Sequence, residues 1–274
     1  MTAPAERNWL LTLAYDGTAY AGWQVQPGQP TVQRALNAKL EQLFRAPIAT
    51  FATSRTDAGV HALDQRVTAW LPQEPEIVPE IAYRALGKFL PLDIRVRAIV
   101  AMPPEFHARH AAAGKAYTYV FHLGPLENPI LGRYALPVPW PVDVAAMASA
   151  AAMLLGQHDF SAFAVNPRCD QARDPVKTLY RCDLLPLGRL LLFTVVGNSF
   201  LYRMVRRLAG FLLAVGRGRL TPETARHLLQ QPGATAAFDT VPPQGLFLDR
   251  VFFASEEMLA YRRGTPPLLD FAQE

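Results

Sequence analysis

Runs of strand-like apolar residues and stretches with helical apolar spacing alternate along this chain, and they do so twice in the same order. In the first half, Trp9 to Tyr15 forms an apolar strand ending at the turn pair Asp16-Gly17. Thr31 suits the N-cap of a helix whose apolar face is Val32, Ala35, Leu36, Leu40 and Leu43. Strands follow at Ile48 to Thr53 and Gln65 to Leu71. A second helix then carries Pro79 in its first turn and Ile81, Leu86 and Leu90 on one side, and a strand from Asp93 to Val100 closes the half. The second half opens with a strand at Ala116 to His122 and a helix from Val142 to Leu155, with Val144, Met147, Ala148, Ala151 and Leu155 inward. A hairpin around Leu187-Gly188 pairs Thr178 to Leu185 with Arg189 to Val196. A strongly amphipathic helix from Leu201 to Val215 and a strand from Gly245 to Ala254 complete the repeat. The expected class is α+β: two ferredoxin-like βαββαβ halves, residues 1–103 and 104–274, divided near Met102-Pro103-Pro104. Side by side, the halves would make a broad, mainly antiparallel sheet with helices on one face and a basic central cleft.

A chain of 274 residues is long enough for two such halves with a sizeable core. No apolar run reaches the ~18 to 20 residues that span a bilayer, and Met1 to Asn8 lacks the apolar stretch of a signal peptide. A cytoplasmic protein with no membrane contact is expected. Cys169 and Cys182 make neither a metal-ligand spacing nor a disulfide framework and read as two reduced thiols. The Pro-rich stretch Gly124 to Pro141 reads as a long ordered loop, and the tail around Thr265-Pro266-Pro267 as a surface extension.

The net charge is +4, and its distribution says more than its size. Between Asp183 and Glu223 there is no acidic residue, yet the segment holds Arg189, Arg203, Arg206, Arg207, Arg217 and Arg219. A second acid-free stretch, His107 to Leu126, contains Arg109 and Lys115. Segregated positive charge of this kind is the footprint of a surface that meets a polyanion.

Chemistry concentrates in Ser54-Arg55-Thr56-Asp57-Ala58-Gly59-Val60-His61-Ala62, which leaves a strand and enters a turn. Gly59 permits a backbone conformation closed to other residues. Ala58 and Ala62 allow close approach of another molecule, and a carboxylate and a guanidinium stand two residues apart. Taken alone, a satisfied turn Asp would account for this segment.

The string RTDAGVHA, however, resembles the catalytic loop of the TruA family of tRNA pseudouridine synthases. Further segments resemble the family in order: Tyr15-Asp16-Gly17, Gly22-Trp23-Gln24 and Thr31-Val32-Gln33 near the start, then Phe106-His107-Ala108-Arg109 and Lys115-Ala116-Tyr117-Thr118-Tyr119. Gly156-Gln157-His158-Asp159-Phe160 with Phe163, Asn198-Ser199-Phe200-Leu201, Met204-Val205-Arg206 with Gly210, and Gly245-Leu246-Phe247-Leu248 complete the set, which runs from about Leu10 to Phe253. The residue before Arg55 is usually Gly in the family and is Ser54 here, which questions the local backbone geometry.

The resemblance implies isomerisation of uridine to pseudouridine in the anticodon stem-loop of tRNA, at nucleotides 38 to 40, by a homodimer that uses no cofactor and no metal. It implies that Asp57 is the nucleophile, attacking C1′ of the ribose or C6 of the base. Arg206 takes the place of the basic partner that keeps this carboxylate ionised in a dry pocket. Tyr119 matches an active-site Tyr whose ring stacks on the flipped uracil and whose hydroxyl could assist proton removal from C5. Arg55 would occupy the space beside the flipped nucleotide, because extruding a base costs a few kcal/mol. His61, Arg109, Arg203 and Arg207 are further RNA-contact candidates. Two other readings compete. A non-catalytic RNA platform would need the paired aromatics of RNP strands, which are not found. A metal-dependent hydrolase would need His107 and His110 together with His61 and Asp57.

Overall fold

The computed structural model describes residues 7–125, 128–165, 174–231 and 233–272. Cys169 lies outside the described residues. The chain is mixed α+β and divides into two compact units, one of residues 1–112 with 248–253, the other of residues 113–247 with 254–274.

In the first unit the order is β1 (Arg7–Tyr15), α1 (Val32–Phe44), β2 (Ala49–Ala52), β3 (His61–Leu71), α2 (Pro79–Phe89), β4 (Ile94–Met102) and the short α3 (Ala108–Ala111). β1 lies between β4 and β3, antiparallel to both, and β2 pairs antiparallel with the far end of β3. The expected elements are all present, and the caps explain where helices begin. The Thr31 side chain accepts from the Arg34 amide at 3.3 Å, and Pro79 occupies the first turn of α2. The inward faces differ in detail. α1 buries Phe44 where Leu43 was expected, and α2 buries Ala82 and Leu86 while Ile81 stands 56% exposed. β3 begins at His61, four residues earlier than the apolar run suggests, so the end of the RTDAGVHA string belongs to a buried strand.

The second unit contains β5 (Gly114–Leu123), β6 (Leu136–Val138), α4 (Val144–Met153), β7 (Gly156–Asp159), β8 (Val176–Leu187), β9 (Leu190–Gly197), α5 (Met204–Gly216) and α6 (Thr224–Gln230). β10 (Leu246–Phe252) and α7 (Ser255–Ala260) follow, the residues of β10 from Leu248 onward being counted with the first unit. β5, β9, β8 and β7 are hydrogen-bonded in that order, each pair antiparallel, and β6 adds a parallel partner to β5 inside the Pro-rich loop. In the Thr265-Pro266-Pro267 tail, a 3-10 turn starts at Pro267, whose ring is buried. α4 turns Leu154 inward, with Leu155 41% exposed. α5 carries the expected amphipathic spacing yet is buried almost all round, leaving only Arg207 and Leu213 partly exposed. A helix apolar on most sides belongs inside a unit rather than on its surface. No described helix is long and apolar enough to cross a membrane.

Candidate active site

Asp57 sits half-buried in the loop between β2 and β3, on a turn closed by the Val60 amide donating to the Asp57 carbonyl at 3.2 Å. Gly59 takes the left-handed conformation, φ +77°, that this turn requires. Arg55 is exposed, and its neighbours Ser54 and Thr56 are buried.

Two layers of the first unit hold this loop. The inner one centres on Gln65 of β3, which is fully buried. Its Oε1 accepts from the Thr53 hydroxyl at 2.9 Å and the Ser54 amide at 3.3 Å, and its Nε2 donates to the Ser54 carbonyl at 2.7 Å and the Tyr15 hydroxyl at 3.3 Å. Tyr15 in turn lies 2.8 Å from the Thr56 hydroxyl. Ser54 has no positive φ, so Ser serves where the family usually has Gly. The outer layer is the Asp16–Trp23 segment. The Trp23 amide donates to the Thr56 carbonyl at 3.1 Å, and the Gly59 amide donates to the Tyr20 carbonyl at 3.2 Å. Gly22, at φ +92°, packs so closely that a Cβ would stand 2.6 Å from the Thr56 oxygen and 3.0 Å from the Asp57 carbonyl carbon. Tyr20 anchors the segment to Asp93 at 2.6 Å; burial, and then this carboxylate, push its phenol pKa up.

His61 is placed differently from a surface RNA contact. It is 1% exposed, and its Nδ1 lies 3.1 Å from both the Gly17 amide and an Asp16 carboxylate oxygen. It braces the Asp16-Gly17 turn from below. Arg109, in α3, is exposed. The neighbouring His107 caps α3 through Nδ1 and packs 4.6 Å from the His110 ring; its pKa is lowered by burial and by His110. Among the described residues no group of three or more His, Cys, Asp or Glu is gathered as a metal site.

In the second unit Tyr119, on β5, is fully buried and its hydroxyl donates to the Pro242 carbonyl at 2.7 Å. Burial pushes the phenol pKa far up, with the Arg206 charge opposing in part. Arg206, in the first turn of α5, is 9% exposed, and its Nε donates to the Val241 carbonyl at 2.8 Å. Arg203, the N-cap of α5, takes the left-handed conformation, φ 57°. That conformation is uncommon outside Gly and of a kind often found at functional sites. Arg203 lies 4.9 Å over the Tyr202 ring, and Arg207 4.3 Å over the buried Phe238. Burial lowers the Arg207 pKa, with Asp239 opposing. The basic segment is therefore not a uniform surface stripe: Arg189 and Arg219 are exposed, Arg203, Arg207 and Arg217 half-buried, and Arg206 buried. Cys182 is buried, and its thiol pKa is pushed up by desolvation.

A family model described as tRNA pseudouridine synthase matches residues 150–254. The chain is 40% identical to the tRNA pseudouridine synthase A of Methylacidiphilum infernorum over 251 residues, covering 91% of this chain and 97% of that protein. It is 39% identical to its Neisseria meningitidis counterpart over 256 residues, 92% of this chain and 94% of that protein. The chain belongs to the tRNA pseudouridine synthase A family. It is accordingly an isomerase that forms pseudouridine in tRNA. Tyr15 and Gly22 lie in segments that resemble the family, whereas Gln65 and the Val241-Pro242 carbonyls lie outside them. For Gln65 the signal available was an amide inside a run otherwise fit for a buried strand; carbonyls leave none.

Proposed function

We propose that this protein converts uridines at nucleotides 38 to 40 of the tRNA anticodon stem-loop to pseudouridine, with Asp57 as the nucleophile. What carries this reading is that the family's RTDAGVHA string forms a loop whose buried flanks, Ser54 and Thr56, are held while Asp57 itself is only half-buried. A nucleophile needs that combination of fixed backbone and access, because reacting groups must meet at ~3 to 3.5 Å. In this reading Arg206 is the cation assigned to the Asp57 carboxylate. Its burial suits the role, since a guanidinium removed from water needs a compensating anion. Tyr119 is assigned to the uracil from a ring that is itself fully buried. Its hydroxyl proton is directed at the Pro242 carbonyl and its phenol is held neutral, so it is an orienting group rather than the base that takes the C5 proton.

Arg55 and Arg109, both exposed, suit contact with the RNA backbone, and Arg203 and Arg207 contribute from the start of α5. His61 supports the loop from within. The cytoplasmic homodimer, the ferredoxin-like character of both halves and the basic cleft belong to the same reading. The strand order β4-β1-β3-β2 in the first unit supports the second of these.

The test is pseudouridine mapping in tRNA from cells lacking this protein, with wild-type or Asp57→Asn copies restored. Loss at nucleotides 38 to 40, rescued by wild type alone, is the expected result. Rescue by Asp57→Asn would remove Asp57 from its role, and loss at other positions would reassign the substrate site.

A further inference from the structure

Between Phe238 and Leu246 the chain has no regular structure apart from a 3-10 turn at Pro243–Gly245, yet it is fixed at several points within the second unit. At its start, the Asp239 carbonyl packs on Gly210 of α5, where a Cβ would stand 1.9 Å from that oxygen. Next, Val241 and Arg206 are joined in both directions: Arg206 Nε donates to the Val241 carbonyl at 2.8 Å, and the Val241 amide donates to the Arg206 carbonyl at 3.4 Å. The adjacent carbonyl, that of Pro242, accepts the Tyr119 hydroxyl at 2.7 Å. At its end, Gly245 lies on the Tyr119 ring, where a Cβ would be 2.9 Å from Cε1 and 2.8 Å from the Val120 oxygen.

We infer that the Asp239–Gly245 segment is a positioning element of the isomerisation, in which the consecutive carbonyls of Val241 and Pro242 hold Arg206 and Tyr119 in one register. This rests on the assignment of Tyr119 and Arg206 to the reaction. The two side chains come from different elements, β5 and α5, and neither helix nor strand geometry relates them. One peptide unit separates the two accepting oxygens, so a shift of the Pro242 carbonyl moves the tyrosine relative to the guanidinium. Pro242 limits that shift: its ring fixes φ and is itself exposed, so it contributes stiffness rather than core packing. Pro243 extends the restraint, and the absence of a side chain at Gly245 lets the tyrosine ring reach its place.

The experiment compares Pro242→Gly, Tyr119→Phe and the double variant with wild type, measuring single-turnover pseudouridine formation, tRNA affinity and thermal unfolding. Pro242→Gly is expected to slow the single-turnover rate roughly tenfold, within the ~100-fold attainable from a misplacement of about 1 Å. Its tRNA affinity should stay within about twofold. In the Tyr119→Phe background the same Pro242 change should add less than about twofold, because the bond through which it acts is already gone. A Pro242→Gly rate equal to wild type, or an equal loss in both backgrounds, overturns the inference. A fall in melting temperature with affinity and rate lost together marks a merely structural role and overturns it as well. Asp57→Asn is assayed alongside: activity there would undermine the proposed chemistry itself, whatever Pro242→Gly does.

Discussion

Replacing Gln65 by Leu removes a buried amide while nearly conserving its volume. Four hydrogen bonds are lost: from Thr53 Oγ1 and the Ser54 amide to Oε1, and from Nε2 to the Ser54 carbonyl and the Tyr15 hydroxyl. The Thr53 and Tyr15 hydroxyls can rotate toward other partners. The Ser54 amide and carbonyl cannot, and Ser54 is 8% exposed, so water reaches them poorly. Each buried backbone group left unsatisfied costs ~1 to 3 kcal/mol, and burial of the leucine methyls returns ~1.5 to 3 kcal/mol. The net expectation is a loss of about 2 kcal/mol, with an upper bound of ~4.5 kcal/mol.

Ser54 lies three residues before Asp57 and is joined to it through Thr56, which Tyr15 ties to the same network. The catalytic rate should therefore fall further than stability alone requires, by ~10 to 100-fold under conditions where the variant is fully folded. Urea unfolding with an unchanged denaturant slope gives the first quantity, and single-turnover pseudouridine formation on saturating tRNA gives the second. Gln65→Glu keeps two acceptors but cannot donate to the Ser54 carbonyl, and it should also be slow. A Gln65→Leu protein within about 1 kcal/mol of wild type and within twofold of its rate would show that the loop is held by something else.

Gly22→Ala should cost ~1 to 2 kcal/mol from its φ of +92° alone, and more from the contact with Thr56. The rate should drop at unchanged tRNA affinity, and a wild-type rate in kinetic assays would contradict the packing. Arg206→Ala removes the donor to the buried Val241 carbonyl and should destabilise by ~1 to 3 kcal/mol, the cost of a buried acceptor left unsatisfied. Arg206→Lys restores the charge but not the Nε bond to Val241, so denaturant titrations should place it between Ala and wild type. The Tyr119 and Tyr20 phenols have raised pKa values in the folded state, so their contribution to stability is complete below the unfolded tyrosine pKa of ~10. It is lost as pH rises above that point. Unfolding midpoints should decline above pH ~10 and decline less in Tyr119→Phe; equal decline in both proteins would count against the buried phenol. Binding of tRNA should weaken steeply with added salt, by a logarithmic slope of ~0.9 for each phosphate neutralised, and Arg109→Ala should flatten that slope in filter-binding titrations.

Most of the element order could be read from residue spacing because it depends on local signals. Thr31 caps α1, Pro79 opens α2, and Gly188-Arg189 turns the β8–β9 hairpin. Helix faces were harder to read where several apolar residues compete for one stripe: Phe44 outranks Leu43, and Leu154 outranks Leu155. The choice is made by the partner surface, which local spacing does not contain. The burial expected for Arg206 is found: it enters the core of its unit while Arg219 faces water, since α5 is packed on most sides. His61 is drawn inward because β3 starts early. Asp64 shows the same effect: it is 5% exposed and accepts from Arg66 Nε at 2.6 Å and from the Val251 amide at 2.9 Å, the latter 187 residues away along the chain.

The side chains assigned to the chemistry share a mode of support. Asp57 stands in a loop, Arg206 in the first turn of a helix that begins on a left-handed residue, and Tyr119 on a strand whose regular bonds leave its hydroxyl to find a partner. In each case the support comes from main-chain groups in neighbouring irregular segments: Tyr20 and Trp23 around Asp57, Val241 for Arg206, Pro242 for Tyr119. Apolar packing fills space but has little directional preference, whereas a hydrogen bond weakens steeply once its angle departs from linearity. A reaction in which a uracil must leave C1′, turn and return by C5 requires that the groups around it stay aimed while the base moves. In the proposed reaction, carbonyls fixed by Pro242 and by the close approach at Gly22, Gly210 and Gly245 would supply that direction within each unit. Substitutions at these glycines and prolines should therefore impair the rate more than they impair tRNA affinity, whereas substitutions at the exposed arginines should do the reverse.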